Sequence, residues 1–256
     1  MRYRGRGSAL LERMLAPSEP SQPSLEREGP AYYEVGPKCQ VENMGGLLEK
    51  YLGARSSGFF VEVGAYDGLL HSNTVGLARR GWHGVLVEPH PISAKKCREN
   101  YQLFPNITIE EYAITSRGGE VQKLRDAGTL SSTSTVVQGL YEKLEWSKRA
   151  LSNSFFEVET KTLDDILESY SPKKLDLLAV DVEGAEEAVF AGFSINHWRP
   201  TVLIVELTEN HSDFREFRSG DSQLYQMILN FEYVVAFKDS INTVFVDSKT
   251  YKSKNL

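Results

Sequence analysis

The sequence predicts an α/β fold: a seven-stranded, mostly parallel sheet with helices on both faces and a closing antiparallel hairpin. Three observations predict it. Apolar runs of strand length recur over residues 59–63, 84–88, 175–181 and 201–206, and the last three end on an acid, Glu88, Asp181 and Glu206. Segments of helical periodicity separate them, the alternation that builds right-handed strand–helix–strand units. Residues 231–237 and 242–246 are a last pair of apolar runs around Lys238-Asp239-Ser240, the pattern of a hairpin.

The chain opens on a different composition. Arg2, Arg4 and Arg6 precede a stretch rich in Pro, Ser, Glu and Gly, so residues 1–36 read as a disordered arm. Residues 8–16 begin like a signal peptide after a basic start, but Glu12 and Arg13 interrupt a short apolar core. No apolar run is long enough to span a bilayer, and the expected location is cytoplasmic, with the secretory pathway left open. Residues 37–256 are expected to form one domain, because 256 residues that are 41% hydrophobic and 25% charged can bury one sizeable core. A net charge of -6 argues against nucleic acid as the main partner and favours small or neutral substrates. The two cysteines, Cys39 and Cys97, have neither metal spacing nor a disulfide framework, although a single bridge between them fits the sequence.

Taken in order, Met44, Leu47, Leu48, Tyr51 and Leu52 mark the apolar face of a short helix. Residues 59–63 then form a strand buried on both faces, followed by Gly64-Ala65-Tyr66-Asp67-Gly68, a loop in which the glycines permit close backbone approach. The spacing is acid-x-Gly-x-x-x-Gly. It lacks the later glycines of the dinucleotide fingerprint and the lysine of a phosphate-binding loop. Glu62, just before the turn, would repel a pyrophosphate and suits an ammonium, so the implied ligand is a cationic nucleoside such as S-adenosylmethionine. Ser72-Asn73-Thr74 supplies capping residues for a helix that ends near Arg79-Arg80-Gly81.

Residues 84–88 form the second strand. Glu88, followed by Pro89, stands at the offset of roughly 20 residues from the loop at which an acid accepts both ribose hydroxyls of a bound nucleoside. His90 reads as a polar loop residue. Pro91 opens a helix over 94–103, and 106–114 is a third strand whose end, including Ala113, meets an adenine. After Arg117-Gly118-Gly119 an accessory strand covers 120–124. The polar run 129–135 suits a lid or a solvated loop, Val137, Leu140, Tyr141 and Leu144 a packed helix, and Trp146, Phe155 and Phe156 a pocket wall or core. A strand over 158–161, a capped helix over 162–167 and a buried strand over 175–181 follow. Asp181 thus points into the cleft beside the first loop, and a helix carries Ala188, Val189 and Phe190 away. A fifth strand over 201–206 and a helix over 224–229 lead to the hairpin. Acids at the carboxyl ends of neighbouring parallel strands mark the usual ligand crevice of an open α/β sheet.

From about residue 58 to 247 the chain resembles the FkbM-type S-adenosylmethionine-dependent methyltransferases, in the branch with Ser-Asn-Thr after the glycine loop. The residues that carry this are Phe60-Val-Glu-Val-Gly-Ala-Tyr-Asp-Gly68, Ser72-Asn73-Thr74, Gly81-Trp-His-Gly-Val-Leu-Val-Glu-Pro89, Thr162-Leu-Asp-Asp165, Asp181-Val-Glu-Gly-Ala-Glu186 and Val202-Leu-Ile-Val-Glu206. The resemblance implies a Rossmann-like class I methyltransferase sheet. It places the cofactor against Glu62, Gly64, Ala65, Tyr66, Asp67, Gly68, Asn73, Glu88, Pro89, Ala113 and Asp181. Many relatives carry lysine or serine two residues before the aspartate, where this chain has Ala179.

The expected reaction is O-methylation of a hydroxyl on a small molecule or glycan. The methyl of a sulfonium is already activated, so the protein must hold acceptor, methyl and sulfur in line and remove a proton. Asp181 is the first candidate base, with Glu206, Glu183 and His71 behind it. Asp181, Glu183, Glu206 and His211 could instead hold Mg²⁺ or Ca²⁺, though the expectation is that no metal is needed. The rival reading is an inactive methyltransferase fold used for interaction or trafficking, and a nicotinamide-dependent reductase conflicts with the glycine spacing.

Overall fold

Phe60, Leu86, Leu177, Val202 and Val244 face one way from the central sheet, and Val61, Val85, Leu178, Leu203 and Phe245 face the other. Both sets are buried because the period-2 alternation of each strand meets a helical layer on either side. The computed structural model describes residues 33, 34, 36, 39–126, 154–207 and 223–255. Residues 1–32 of the expected arm, the polar run 129–135, the helix over 137–144, Trp146 and His211 lie outside the described residues. The end of the expected arm is packed: Tyr33 is buried edge-on to Trp82, and its hydroxyl donates to the Gly53 carbonyl at 2.8 Å.

The central sheet contains β1 (Phe59–Val63), β2 (His83–Val87), β3 (Ile107–Glu110), β7 (Leu177–Val180), β8 (Val202–Glu206), β9 (Tyr233–Lys238) and β10 (Asn242–Asp247). Its order is β3-β2-β1-β7-β8-β10-β9, with β3 through β8 parallel and β10 antiparallel to both its neighbours. This is the expected seven-stranded arrangement. The hairpin closes on Asp239, whose Oδ1 accepts the amides of Ile241 and Asn242 at 2.8 and 2.6 Å.

Helices α1 (Met44–Leu52), α2 (Val75–Arg79) and α3 (Pro91–Tyr101) supply Met44, Leu48, Leu77, Cys97 and Tyr101 to one core cluster. Helices α4 (Leu163–Tyr170), α5 (Glu186–Ala191) and α7 (Gln223–Asn230) supply Leu163, Ile166, Val189, Phe190 and Leu224 to the other. The start of α4 is a capping box between Thr162 and Asp165, as the Thr-Leu-Asp-Asp sequence implies. Two helices were not anticipated: α6 (Ile195–Trp198), a single turn, and α8 (Ser248–Asn255), which no apolar stripe marks. The second docks on α1, where Tyr251 stacks on Tyr51 and Lys50 donates to Asn255 at 2.6 Å.

One strand boundary needs correction. The strand expected over 106–114 is two strands: β3 ends at Glu110, and β4 (Ala113–Ile114) pairs with β6 (Phe155–Lys161) in a small second sheet of order β4-β6-β5, β5 being Val121–Arg125. The break follows from β3 being the edge of the main sheet, so the backbone beyond it finds its ladder partners in β6. The helix after the capping residues begins at Val75, and Ser72 and Thr74 also turn their hydroxyls to Glu62. Ser72 still caps it, its Oγ accepting the amides of Thr74 and Val75, both at 3.2 Å. Both cysteines are free, in line with the lack of a disulfide framework in the sequence. His90 is a loop residue as expected, though a buried one; its Nδ1 accepts the Ser93 amide at the start of α3. No helix among the described residues is long and apolar enough to cross a membrane.

Candidate active site

The sheet register lines up one row of chemistry. Val87 pairs with Val63, Val63 with Val180, and Val180 with Val205. One step further along, at the carboxyl ends, stand Glu88, Gly64, Asp181 and Glu206, and Asn242 pairs with Glu206 from the antiparallel side. The only member without a side chain is Gly64, and with Glu88, Asp181 and Asn242 it lines an open cleft. A Cβ on Gly64 would stand 1.7 Å from the Asp181 carbonyl oxygen, and the residue has φ 86°. The close approach here is therefore to the chain's own backbone.

Of the residues expected around a cofactor, Glu62, Gly64, Ala65, Tyr66, Asn73, Glu88, Pro89, Ala113 and Asp181 line this cleft, as does His71. Asp67 and Gly68 shape the loop beneath it. Asp67 Oδ1 accepts the amides of Leu69 and Leu70 at 2.9 and 2.7 Å, and the Gly68 carbonyl accepts the Tyr101 hydroxyl at 2.7 Å. Glu206 stands behind Asp181 in the next strand. Phe155 and Phe156 are not part of the wall: Phe155 is exposed, and Phe156 packs edge-on against His90 at 4.8 Å.

Glu62 is buried on the face otherwise filled by Phe60 and Ala179. Its carboxylate accepts the Asn73 amide at 3.0 Å, the Ser72 hydroxyl at 3.0 Å and the Thr74 hydroxyl at 2.7 Å. The Ser-Asn-Thr sequence is thus the hydrogen-bonding partner of Glu62. Ala179, its register neighbour on β7, has no side-chain donor to add. Burial pushes the Glu62 carboxyl up to about 7, with those three hydrogen bonds opposing. Glu88 is similar. Each of its oxygens takes one backbone amide, Tyr66 at 2.7 Å and His90 at 2.8 Å, and burial again raises the carboxyl to about 7.

Asp181 Oδ2 accepts a hydrogen bond from Gln40 Nε2 at 2.9 Å. Gln40 lines the cleft, and beside it Asn73 Oδ1 accepts the Val41 amide at 3.3 Å. Beyond Asp181 the backbone turns through Glu183, at φ 54°, and Glu186 Oε1 holds that turn by accepting the amides of Val182 and Gly184. Tyr66 and His71, at φ 51° and 64°, are also left-handed. Three such side chains around one cleft concentrate backbone strain where ligands bind. Burial, then the charge of Asp181 and a hydrogen bond with it, hold the Glu206 carboxyl well above its ordinary range.

Sequence reasoning missed Gln40 and Asn242. Gln40 carries no signal, being one polar residue before the first helix. Asn242 reads only as a strand start, yet it is 1% exposed, lines the cleft, and neither polar atom of its side chain has a hydrogen-bond partner.

Comparison with known proteins gives the family of the chain. Residues 62–235 match the methyltransferase FkbM domain. A 2-O-methyltransferase, NoeI of Sinorhizobium fredii, is 30% identical over 112 residues, which are 41% of this chain and 45% of that protein. The alignment therefore spans less than half the length of that relative. Among solved structures, an O-methyltransferase from Bacillus cereus in complex with S-adenosylhomocysteine matches with TM-score 0.46 and 15% identity, covering 82% of this chain and 84% of that one. The N-methyltransferase NodS from Bradyrhizobium japonicum, also with S-adenosylhomocysteine, matches with TM-score 0.42 and 11% identity over 95% and 99% of the two chains.

Proposed function

The chain belongs to the methyltransferase FkbM family, whose methyl donor is S-adenosylmethionine, and on that premise we propose that it methylates a hydroxyl of a small molecule or sugar. The observation that carries the proposal is Asp181, a carboxylate at the cleft beside the glycine loop, oriented by Gln40. The name of the relative NoeI, a 2-O-methyltransferase, supports oxygen as the acceptor atom.

The residues present fit the donor. Glu88 leaves a lone pair on each oxygen after binding Tyr66 and His90, enough to accept two vicinal ribose hydroxyls. Glu62 keeps one lone pair on Oε1 for an ammonium, whose positive charge would favour the ionised carboxylate that burial disfavours. Ala113, Tyr66 and Pro89 flank the space in which a base would lie. The bound cofactor supplies an electrophilic methyl group on sulfur.

The work left to the protein is to bind the acceptor, align its oxygen and take its proton. Asp181 is the proton acceptor in this reading, with Gln40 fixing which oxygen faces the cleft. Glu206 behind it limits how far Asp181 can turn, and His71 borders the acceptor side.

The test is a titration of S-adenosylmethionine and S-adenosylhomocysteine into the protein, followed by methyl transfer to a panel of sugar and small-molecule hydroxyls. Micromolar binding with labelled product is the expected result. Asp181→Asn should bind the cofactor normally and transfer about 10²-fold more slowly or worse. Folded protein that binds neither compound would overturn the reading in favour of an inactive interaction module.

A further inference from the structure

We propose that Asp181, Glu183, Glu206 and Asn242 form a binding site for one hard divalent cation of the Mg²⁺ or Ca²⁺ type. The first observation is geometric. One carboxylate oxygen from each of Asp181, Glu183 and Glu206 can be chosen so that all lie within 4.8 Å of one another. Ligands on opposite sides of a single ion are separated by about 4.2 Å around Mg²⁺ and about 4.6–5.2 Å around Ca²⁺, so the three oxygens span about one coordination sphere and would draw in slightly around the smaller ion.

The second observation is independent of the acids. Asn242 is 1% exposed, and neither its Oδ1 nor its Nδ2 has a partner. Buried amides are almost always bonded, so an amide with both ends unsatisfied points to something it is built to meet. It lines the cleft with Asp181 and Glu183, and the β8–β10 register sets it directly opposite Glu206. An Oδ1 ligand completes an oxygen set around the ion, and Nδ2 is then free to donate to a water or hydroxyl that the ion holds.

The chemistry of the set selects the class of ion. Three carboxylates and a carboxamide, with no imidazole or thiolate among them, suit hard cations and disfavour zinc. Among the described residues no lysine or arginine forms an ion pair with Asp181 or Glu206, so a cation is the natural neutraliser of the cluster. If the proposed methyl transfer holds, such an ion would lie where the acceptor hydroxyl approaches Asp181 and would lower its pKa. The site itself does not depend on that reading.

The experiment is calorimetric titration of Mg²⁺, Ca²⁺ and Mn²⁺ into the chelator-treated full chain without cofactor, with spin resonance of Mn²⁺ as a direct readout of bound ion. Saturable binding of one ion is expected. Asn242→Ala and Glu206→Gln should weaken it by at least the roughly 10–100-fold that follows loss even of an outer partner, and Asn242→Asp should restore it. Circular dichroism of each variant separates ligand loss from misfolding, and the near-isosteric Glu206→Gln and Asn242→Asp guard against it. No saturable binding at millimolar ion, or binding that both Glu206→Gln and Asn242→Ala leave unchanged, would overturn the proposal. A parallel titration with S-adenosylmethionine keeps the two proposals apart, since cofactor binding without cation binding sinks only this one.

Discussion

Gln40 Nε2 donates to Asp181 Oδ2 at 2.9 Å, joining residues 141 positions apart in the chain. The contact ties the segment before the first helix to the carboxyl tip of β7. It thereby links the position of that segment to the orientation of one carboxylate.

Gln40→Ala should leave the fold intact and slow methyl transfer by about 10–100-fold, the range set by loss of a roughly 1.5–3 kcal/mol hydrogen bond to a charged group. Single-turnover rates at saturating cofactor would show it. A variant with the parental rate would mean that Asp181 is oriented by its other neighbours.

Glu88→Ala removes the acceptor for two hydroxyls and strands the amides of Tyr66 and His90. Cofactor affinity should fall by about 1–3 kcal/mol, read by calorimetry. Undiminished affinity would remove Glu88 from the ribose site.

Gly64→Ala should be among the most damaging single-methyl changes in the chain. Its new Cβ would meet the Asp181 carbonyl oxygen at 1.7 Å, on a backbone with φ 86°. A loss of about 3 kcal/mol or more is expected, seen as a lower denaturation midpoint together with lost cofactor binding. An unchanged midpoint would show that the β1 and β7 tips can separate at little cost.

The pH dependence of the cofactor-free protein should run opposite to ordinary acid denaturation. Burial raises the Glu62 and Glu88 carboxyls from 4.5 to about 7 in the folded state. The folded state therefore binds more protons than the unfolded one between those values. The stabilisation is fully present below about 4.5 and lost as pH rises through about 7. Each group contributes at most about 3 kcal/mol. Melting temperatures should fall from pH 5.5 to pH 8, and a steady rise across that window would contradict the burial of these two acids.

Much of the site was readable in advance where it is local. The loop from Gly64 to Gly68 and the acids at 88, 181 and 206 are each signalled by an apolar run that stops, and Glu62 by its place just before the turn. The strand over 106–114 misled for the same reason: its apolar spacing is continuous, but the main sheet offers no partner beyond β3, so the pattern is shared between two sheets. Ser72 and Thr74 look like helix caps in sequence, and only the nearness of Glu62 reveals where their hydroxyls go.

By itself the sequence determined the strand–helix alternation, the closing hairpin and the placing of acids at strand ends, because periodicity and chain polarity act over a few residues. Tertiary structure alone decided that Gln40 meets Asp181, that Asn242 stands opposite Glu206 with both ends of its amide unmet, and that Gly64 is required by the Asp181 backbone. Those relationships depend on strand order and register. A glutamine or asparagine carries no local mark of the partner that a distant strand will bring to it.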